Sequence, residues 1–190
     1  SCIGLSDQET AVLINFQAFT DLDPGKVHSI VKQLKQGIPP AELTQIPKNN
    51  IQYTPEPDKT IFFRPYTPGL ALQELQQITP DQLIHIVKRS KLAGRGGAFF
   101  PTGLKWEFCK KNESDQKYII CNADEGEPGT FKDRVLMNKY PGLMIEGMIM
   151  AAYAVGANYG YIYLRAEYFY LQEKIENEIL NFRSQGFLGS

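Results

Sequence analysis

"KYIICNADEGEPGTFKDR", residues 117–134, starts as an apolar run, turns acidic for one short loop and ends on charged residues that open a helical pattern. Tyr118 to Cys121 is rich in β-formers, so the stretch reads as a buried strand feeding directly into the loop. A long apolar helix follows from about residue 133 to 156, with a bend expected at Pro141-Gly142. "YGYIYLR" (159–165) is a second strand. "YFYLQEKIENEILNFRSQG" (168–186) is an amphipathic helix stopped by Gly186. Strand, helix, strand, helix is the rhythm of an α/β layer built on a parallel sheet.

Upstream, "TPDQLIHIVKRSKLAG" (79–94) carries Thr79 and Gln82 at capping-box spacing and Pro80 at the first helical position. The spacing predicts a helix reaching to Gly94, with Leu83, Ile86 and Val87 as its buried stripe. "AVLINFQAF" (11–19) reads as strand, and "DPGKVHSIVKQLKQG" (23–37) as a helix capped by Asp23 and ended by Gly37. Between these parts, residues 38–69 hold Pro39, Pro40, Pro47, Pro55, Pro57, Pro65 and Pro68, a density that forbids long helices. The expected organisation is serial: 1–37, a proline-rich connector over 38–69, and a second domain over 70–190.

The composition is 43% hydrophobic and 22% charged, with a net charge of −1, which gives no electrostatic basis for binding nucleic acid or an anionic membrane. The apolar run near 143–155 is broken by Glu146 and Gly147 and is too short to span a bilayer. Cys2, Cys109 and Cys121 form no CxxC pair, which argues against a disulfide scaffold or a metal site of this chain's own and favours a reducing, cytoplasmic setting. His28 and His85 each read as surface or half-buried helix residues. Arg165 and Glu167 read either as a pocket pair or as a structural ion pair.

Two stretches carry chemistry. In "GRGGAFFPTGLKW" (94–106), Gly94, Gly96 and Gly97 free successive backbone N–H groups to face an anion, and Arg95 and Lys105 add positive charge. The spacing is neither that of a P-loop nor that of a dinucleotide fingerprint. The competing reading is a plain turn with Phe99, Phe100, Trp106 and Phe108 as core. In the acidic loop, Asn122, Asp124, Glu125 and Glu127 can bind a hard cation or hydrogen-bond a polyhydroxylated ligand; the competing reading is a solvated turn with Asp133 capping the next helix. Together the two loops suit a ligand with a phosphate, hydroxyls and a flat ring.

"PTGLKW" and "NADEGEPGTFKDR" resemble the signature segments of the FMN- and NADH-binding flavoprotein subunits of respiratory complex I and its relatives, over roughly residues 77–189. "CIGLSDQE" and "LKQGIPPAEL" resemble a narrower group, the diaphorase subunits of soluble NAD-reducing [NiFe] hydrogenases. The resemblance implies a Rossmann-like flavin-binding layer preceded by the tail of a degenerate thioredoxin-like domain, residues 1–37. It implies that Gly94, Gly96 and Gly97, with Arg95 and Lys105, hold the FMN phosphate and ribityl chain, and that Asn122 and Asp124 bond the flavin. It implies further that Glu127 lies by the flavin and nicotinamide, and that Phe100 and Phe108 stack the NADH adenine. Hydride transfer is then cofactor to cofactor, so no side chain acts as acid, base or nucleophile. The resemblance implies other subunits of a hydrogenase or complex I-like assembly, and NADH, as partners.

Three departures bear on these expectations. Phe99 stands where the family pattern has glycine; its ring obstructs the cleft, or swings aside if the local φ is negative. Ser6 stands where iron–sulfur thioredoxin-like domains carry a second cysteine, so no [2Fe-2S] cluster is expected. No cysteine follows Cys121, so a [4Fe-4S] cluster is expected only in a carboxyl-terminal part beyond these residues, of which the chain reads as a fragment.

Overall fold

The computed structural model describes residues 2–45, 47 and 64–189; most of the proline-rich connector expected over 38–69 lies outside them. In chain order the elements are β1 (Val12–Ile14), β2 (Gln17–Phe19), α1 (Pro24–Lys35), α2 (Pro40–Leu43), α3 (Leu70–Leu75), α4 (Pro80–Arg89), α5 (Thr102–Lys111), β3 (Tyr118–Ala123), α6 (Lys132–Lys139), α7 (Pro141–Val155), β4 (Tyr159–Leu164) and α8 (Gln172–Ser184). Short 3-10 segments cover Ser6–Gln8 and Ala166–Leu171. The fold is α/β, with β3 and β4 forming a small parallel sheet. The elements gather into two compact units, each drawn from several stretches of the chain. One holds Ser1–Arg64, Asn122–Pro141 and Tyr163–Glu178; the other holds Pro65–Cys121, Gly142–Ile162 and Ile179–Ser190.

In the first unit, "AVLINFQAF" is two strands and not one. β1 and β2 pair antiparallel, with Val12 opposite Phe19 and Ile14 opposite Gln17. The two-residue turn puts Asn15 at φ 49° and Phe16 at φ 62°. Both central residues of such a turn need positive φ, which asparagine tolerates and phenylalanine does not signal. α1 begins as its sequence specifies: the Asp23 carboxylate accepts from the Lys26 amide at 2.8 Å, with Pro24 at the first position. β2 and α6 both pack on the Ala166–Leu171 segment, where Phe19, Val135, Tyr168 and Leu171 are buried.

The second unit has its core in Leu72, Leu75, Leu83, Ile84, Ile145, Val155 and Phe182, with Trp106 and Cys109 packed against it. Each such leucine or isoleucine contributes about 2 kcal/mol of burial. The capping box of α4 is formed in both directions: the Gln82 amide donates to Thr79 Oγ1 at 3.3 Å and the Thr79 amide to Gln82 Oε1 at 2.7 Å. The stripe is rotated from the expected one, for Ile84 is buried and Ile86 is 52% exposed. The helix also stops at Arg89, short of Gly94. Ser90 Oγ turns back to the Val87 carbonyl and Lys91 takes φ 56°, which ends the helical hydrogen bonding there. α5 crosses α4 at Gly103, where a Cβ would stand 2.7 Å from the Lys88 amide nitrogen.

Two further expectations are corrected. The helix expected over 133–156 is two helices, broken at Tyr140 (φ −137°, ψ 55°), because Pro141 drives the residue before it out of the helical region. β3 is not a buried strand: Tyr118, Ile120 and Asn122 are exposed in strict alternation with Ile119 and Cys121, which are half-buried. A two-stranded sheet covers one face only, so period-two alternation replaces full burial. No helix among the described residues is long and apolar enough to cross a membrane.

Candidate functional site

The glycine loop is a closed ring of chain on the second unit. Ala93 and Pro101 form an antiparallel bridge at its neck, where the Gly94 amide donates to the Phe100 carbonyl and the Thr102 amide to the Leu92 carbonyl, both at 2.9 Å. Residues 94–100 are all exposed. A Cβ placed on Gly96 or Gly97 would meet nothing within 4 Å, and only Gly97 has a positive φ, 98°. Nothing in the chain's own packing therefore requires glycine at 96. The chain leaves open space at that position.

α5 starts directly after the loop, so Lys105 stands in the first turn of a helix and not within the loop, with its side chain exposed. Phe99 is 63% exposed, Phe100 44% and Phe108 59%, which removes the reading of these rings as core; only Trp106 packs inward. Phe100 and Phe108 have ring centroids 6.4 Å apart with planes tilted by 49°. An exposed pair in contact is a platform for a flat ligand. Phe99 has φ 50°, so the negative φ that would let its ring swing aside is not present. Its side chain is held out from a backbone shaped for glycine.

The acidic loop lies on the first unit and is built from local turns. The Asp124 amide donates to Asn122 Oδ1 at 3.1 Å, the Gly126 amide to the Asp124 carbonyl at 3.0 Å, and Thr130 Oγ1 to the Glu127 carbonyl at 2.6 Å. Asn122, Asp124 and Glu127 are exposed. Glu125 is buried and leaves the candidate set. Its carboxylate accepts the Asp133 amide at 2.8 Å, the Arg134 amide at 3.1 Å and the Tyr168 hydroxyl at 3.1 Å. Glu125, and not Asp133, thus caps α6. Among the described residues, no three His, Cys, Asp or Glu side chains gather as a metal site.

Beneath the loop is a buried polar cluster. Arg165 donates to the Glu125 carbonyl, to the Cys2 carbonyl at 2.8 Å and to Glu167 at 2.9 Å, so it is a structural residue with its ion partner. Hydrogen bonding to Arg165 lowers the Glu167 pKa below the usual carboxylate range. Arg134, 1% exposed, pairs with Asp7 and lies 5.4 Å over the Phe131 ring. Cys2 Sγ accepts the Gly129 amide at 3.5 Å and the Gly4 amide at 3.3 Å, and these bonds, the Gly129 one foremost, lower its pKa. Sequence spacing held no signal for this cluster, because its members lie up to 163 residues apart. His28 and His85 are exposed on their helices.

The family described as the Nuo51 FMN-binding domain matches residues 87–186. The NAD-reducing hydrogenase HoxS subunit alpha of Cupriavidus necator is 48% identical over 99% of this chain and 33% of its own length. An NADH-quinone oxidoreductase subunit of Rhizobium meliloti is 50% identical over 60% of this chain and 27% of its own. A crystal structure of an NAD+-reducing [NiFe]-hydrogenase in the H2-reduced state superposes with a TM-score of 0.86 at 38% identity, covering 96% of this chain and 32% of that one. The chain thus spans about a third or less of the length of these relatives.

Proposed function

The chain belongs to the Nuo51 FMN-binding domain family, and from that membership we propose that it is the FMN-binding portion of an NADH dehydrogenase (diaphorase) subunit. In this reading the whole subunit moves hydride between NAD(H) and FMN and electrons onward to iron–sulfur clusters, within a cytoplasmic NAD-reducing hydrogenase or a complex I-like assembly. The near-complete coverage of this chain by the hydrogenase subunit, and its likeness to the hydrogenase crystal structure, support the hydrogenase as the parent. The serial division into a thioredoxin-like tail (1–37), a connector and a flavin domain (70–190) belongs to the same proposal. So does a [4Fe-4S] cluster outside these residues.

The observation that carries the reading is the glycine loop: a pinned neck, exposed residues from 94 to 100, and a glycine at 96 that the fold itself does not need. Gly94, Arg95, Gly96 and Gly97 would hold the FMN phosphate and ribityl chain, with Lys105 supplying charge from the first turn of α5. Asn122 and Asp124 would bond the flavin, and Glu127 would border the nicotinamide. Phe100 and Phe108 would stack the adenine of NADH. Bound FMN would supply the two-electron chemistry; these residues bind, orient and shield.

A second reading, a cofactor-less structural module, rests on Phe99, whose ring projects from a glycine-type backbone. FMN binding followed by visible spectrum and fluorescence separates the two, with Phe99→Gly measured beside the parent. Stoichiometric FMN on the parent is the expected result. Binding by the glycine variant alone identifies Phe99 as the block, and binding by neither sinks the flavin reading for this chain.

A further inference from the structure

The acidic loop's own turns, Asp124–Gly126 and Glu127–Thr130, meet at the Gly126–Glu127 junction, and a Cβ on Gly126 would touch nothing within 4 Å. Such turns fix local shape but not where the loop points. Two anchors from outside the loop do that. On the near side, buried Arg165 donates to the Glu125 carbonyl. On the far side, the Gly129 amide donates to Cys2 Sγ at 3.5 Å. Glu127, exposed, lies between them.

Both anchors lead to one short segment. Arg165 also holds the Cys2 carbonyl at 2.8 Å, and the Gly4 amide donates to Cys2 Sγ at 3.3 Å. Gly4, at φ 72°, lies so close to Tyr168 that a Cβ would stand 2.1 Å from its hydroxyl oxygen, and that hydroxyl bonds Glu125. Asp7 completes the arrangement by pairing with buried Arg134, the second residue whose amide Glu125 accepts. The result is a closed circuit from Glu125 through Tyr168 and the amino-terminal segment to Cys2 and back to the loop at Gly129. Ser6 Oγ lies 3.6 Å from the sulfur, so the cysteine sits among donors and not beside a second thiol.

We propose that the segment Cys2–Asp7 is a positioning element for the acidic loop, with Cys2 Sγ and Arg165 as the two anchors that set where Glu127 stands. This rests on the reading that the loop borders the flavin. It gives the sulfur of Cys2 a use that involves no bond to a metal or to another sulfur: it is a large, polarisable acceptor that reaches two backbone amides at once.

The test uses the intact protein in three forms: parent, Cys2→Ala and Cys2→Ser. Hydrogen exchange in peptides covering residues 124–130 reads the loop without any cofactor, and fluorescence titration reads FMN affinity. Cys2→Ala is expected to raise loop exchange about tenfold and the FMN Kd about five- to tenfold, the effect of losing the one of its hydrogen bonds that reaches the loop, with exchange in α4 unchanged. Cys2→Ser, which keeps an acceptor, restores most of both. Unchanged loop exchange in Cys2→Ala overturns the proposal. So does exchange that rises throughout the chain, which marks a general loss of stability, or a raised loop exchange with parental FMN affinity. If no form binds FMN while loop exchange still responds, the anchoring stands and the flavin reading falls.

Discussion

The Tyr168 hydroxyl donates to the Glu125 carboxylate at 3.1 Å, and both groups are buried. The same carboxylate accepts two amides at the start of α6, so one side chain satisfies three donors. Glu125→Ala leaves those donors unmatched, and a loss of about 3 kcal/mol is expected in denaturant unfolding at neutral pH. Tyr168→Phe removes one donor with its share of the acceptor, and about 1 kcal/mol is expected.

Gly103 and Gly96 answer different questions. A Cβ at 103 meets the Lys88 backbone at 2.7 Å, so Gly103→Ala forces α4 and α5 apart and lowers the thermal midpoint by several degrees. A Cβ at 96 meets nothing, so Gly96→Ala is expected to melt with the parent yet bind FMN at least tenfold more weakly. Parental FMN affinity in Gly96→Ala would remove the glycine loop from the site.

Phe99 is held at φ 50° with its ring exposed. Glycine relieves the left-handed cost, about 1 kcal/mol, and gives part of it back through unfolded-chain entropy. Phe99→Gly is therefore expected to be neutral to slightly stabilising, and Phe99→Ala, which keeps a Cβ, to gain nothing. Equilibrium unfolding of both variants checks the pair; a clear loss in Phe99→Gly would show that the ring makes contacts that stabilise the fold.

Acid and alkaline limits follow from different groups. Hydrogen bonding to Arg165 lowers the Glu167 pKa from its ordinary 4.5, so that stabilisation is full above pH 4.5 and is lost as pH falls through the lower folded value. Glu167→Gln is expected to flatten this acid limb in a pH series of unfolding curves. At the other end, burial pushes the Tyr170 phenol from 10.0 up to about 12, so its contribution holds below pH 10 and is lost as pH rises through 12. Tyr170→Phe is expected to remove a late-titrating component from the tyrosinate absorbance.

Sequence patterns stated locally were legible. Asp23, Thr79 with Gln82, and Pro80 specify helix starts locally, and the structure shows the Asp23 and Thr79–Gln82 bonds with Pro80 at the first helical position. The α/β alternation and the glycine and acidic loops were likewise readable, because strand and loop chemistry is contiguous. What failed depended on distant neighbours. Ile84 displaced Ile86 from the stripe because α5 approaches α4 at Gly103, which helical period alone cannot show. Phe16 hid a turn, since its positive φ is imposed by hairpin pairing and not by its own preference. Glu125 looked like one more loop carboxylate until Tyr168, 43 residues away, and the α6 amides claimed it.

The burial of Glu125 also changes what a diffusing anion meets. Its charge faces amides and a phenol, with Lys132 at 3.8 Å, so Asp124 and Glu127 are the carboxylates this loop presents to solvent. Repulsion from two exposed charges is weak and is screened over a Debye length of about 8 Å at physiological ionic strength. The loop's own electrostatic effect on an approaching anion is then small and nearly insensitive to added salt.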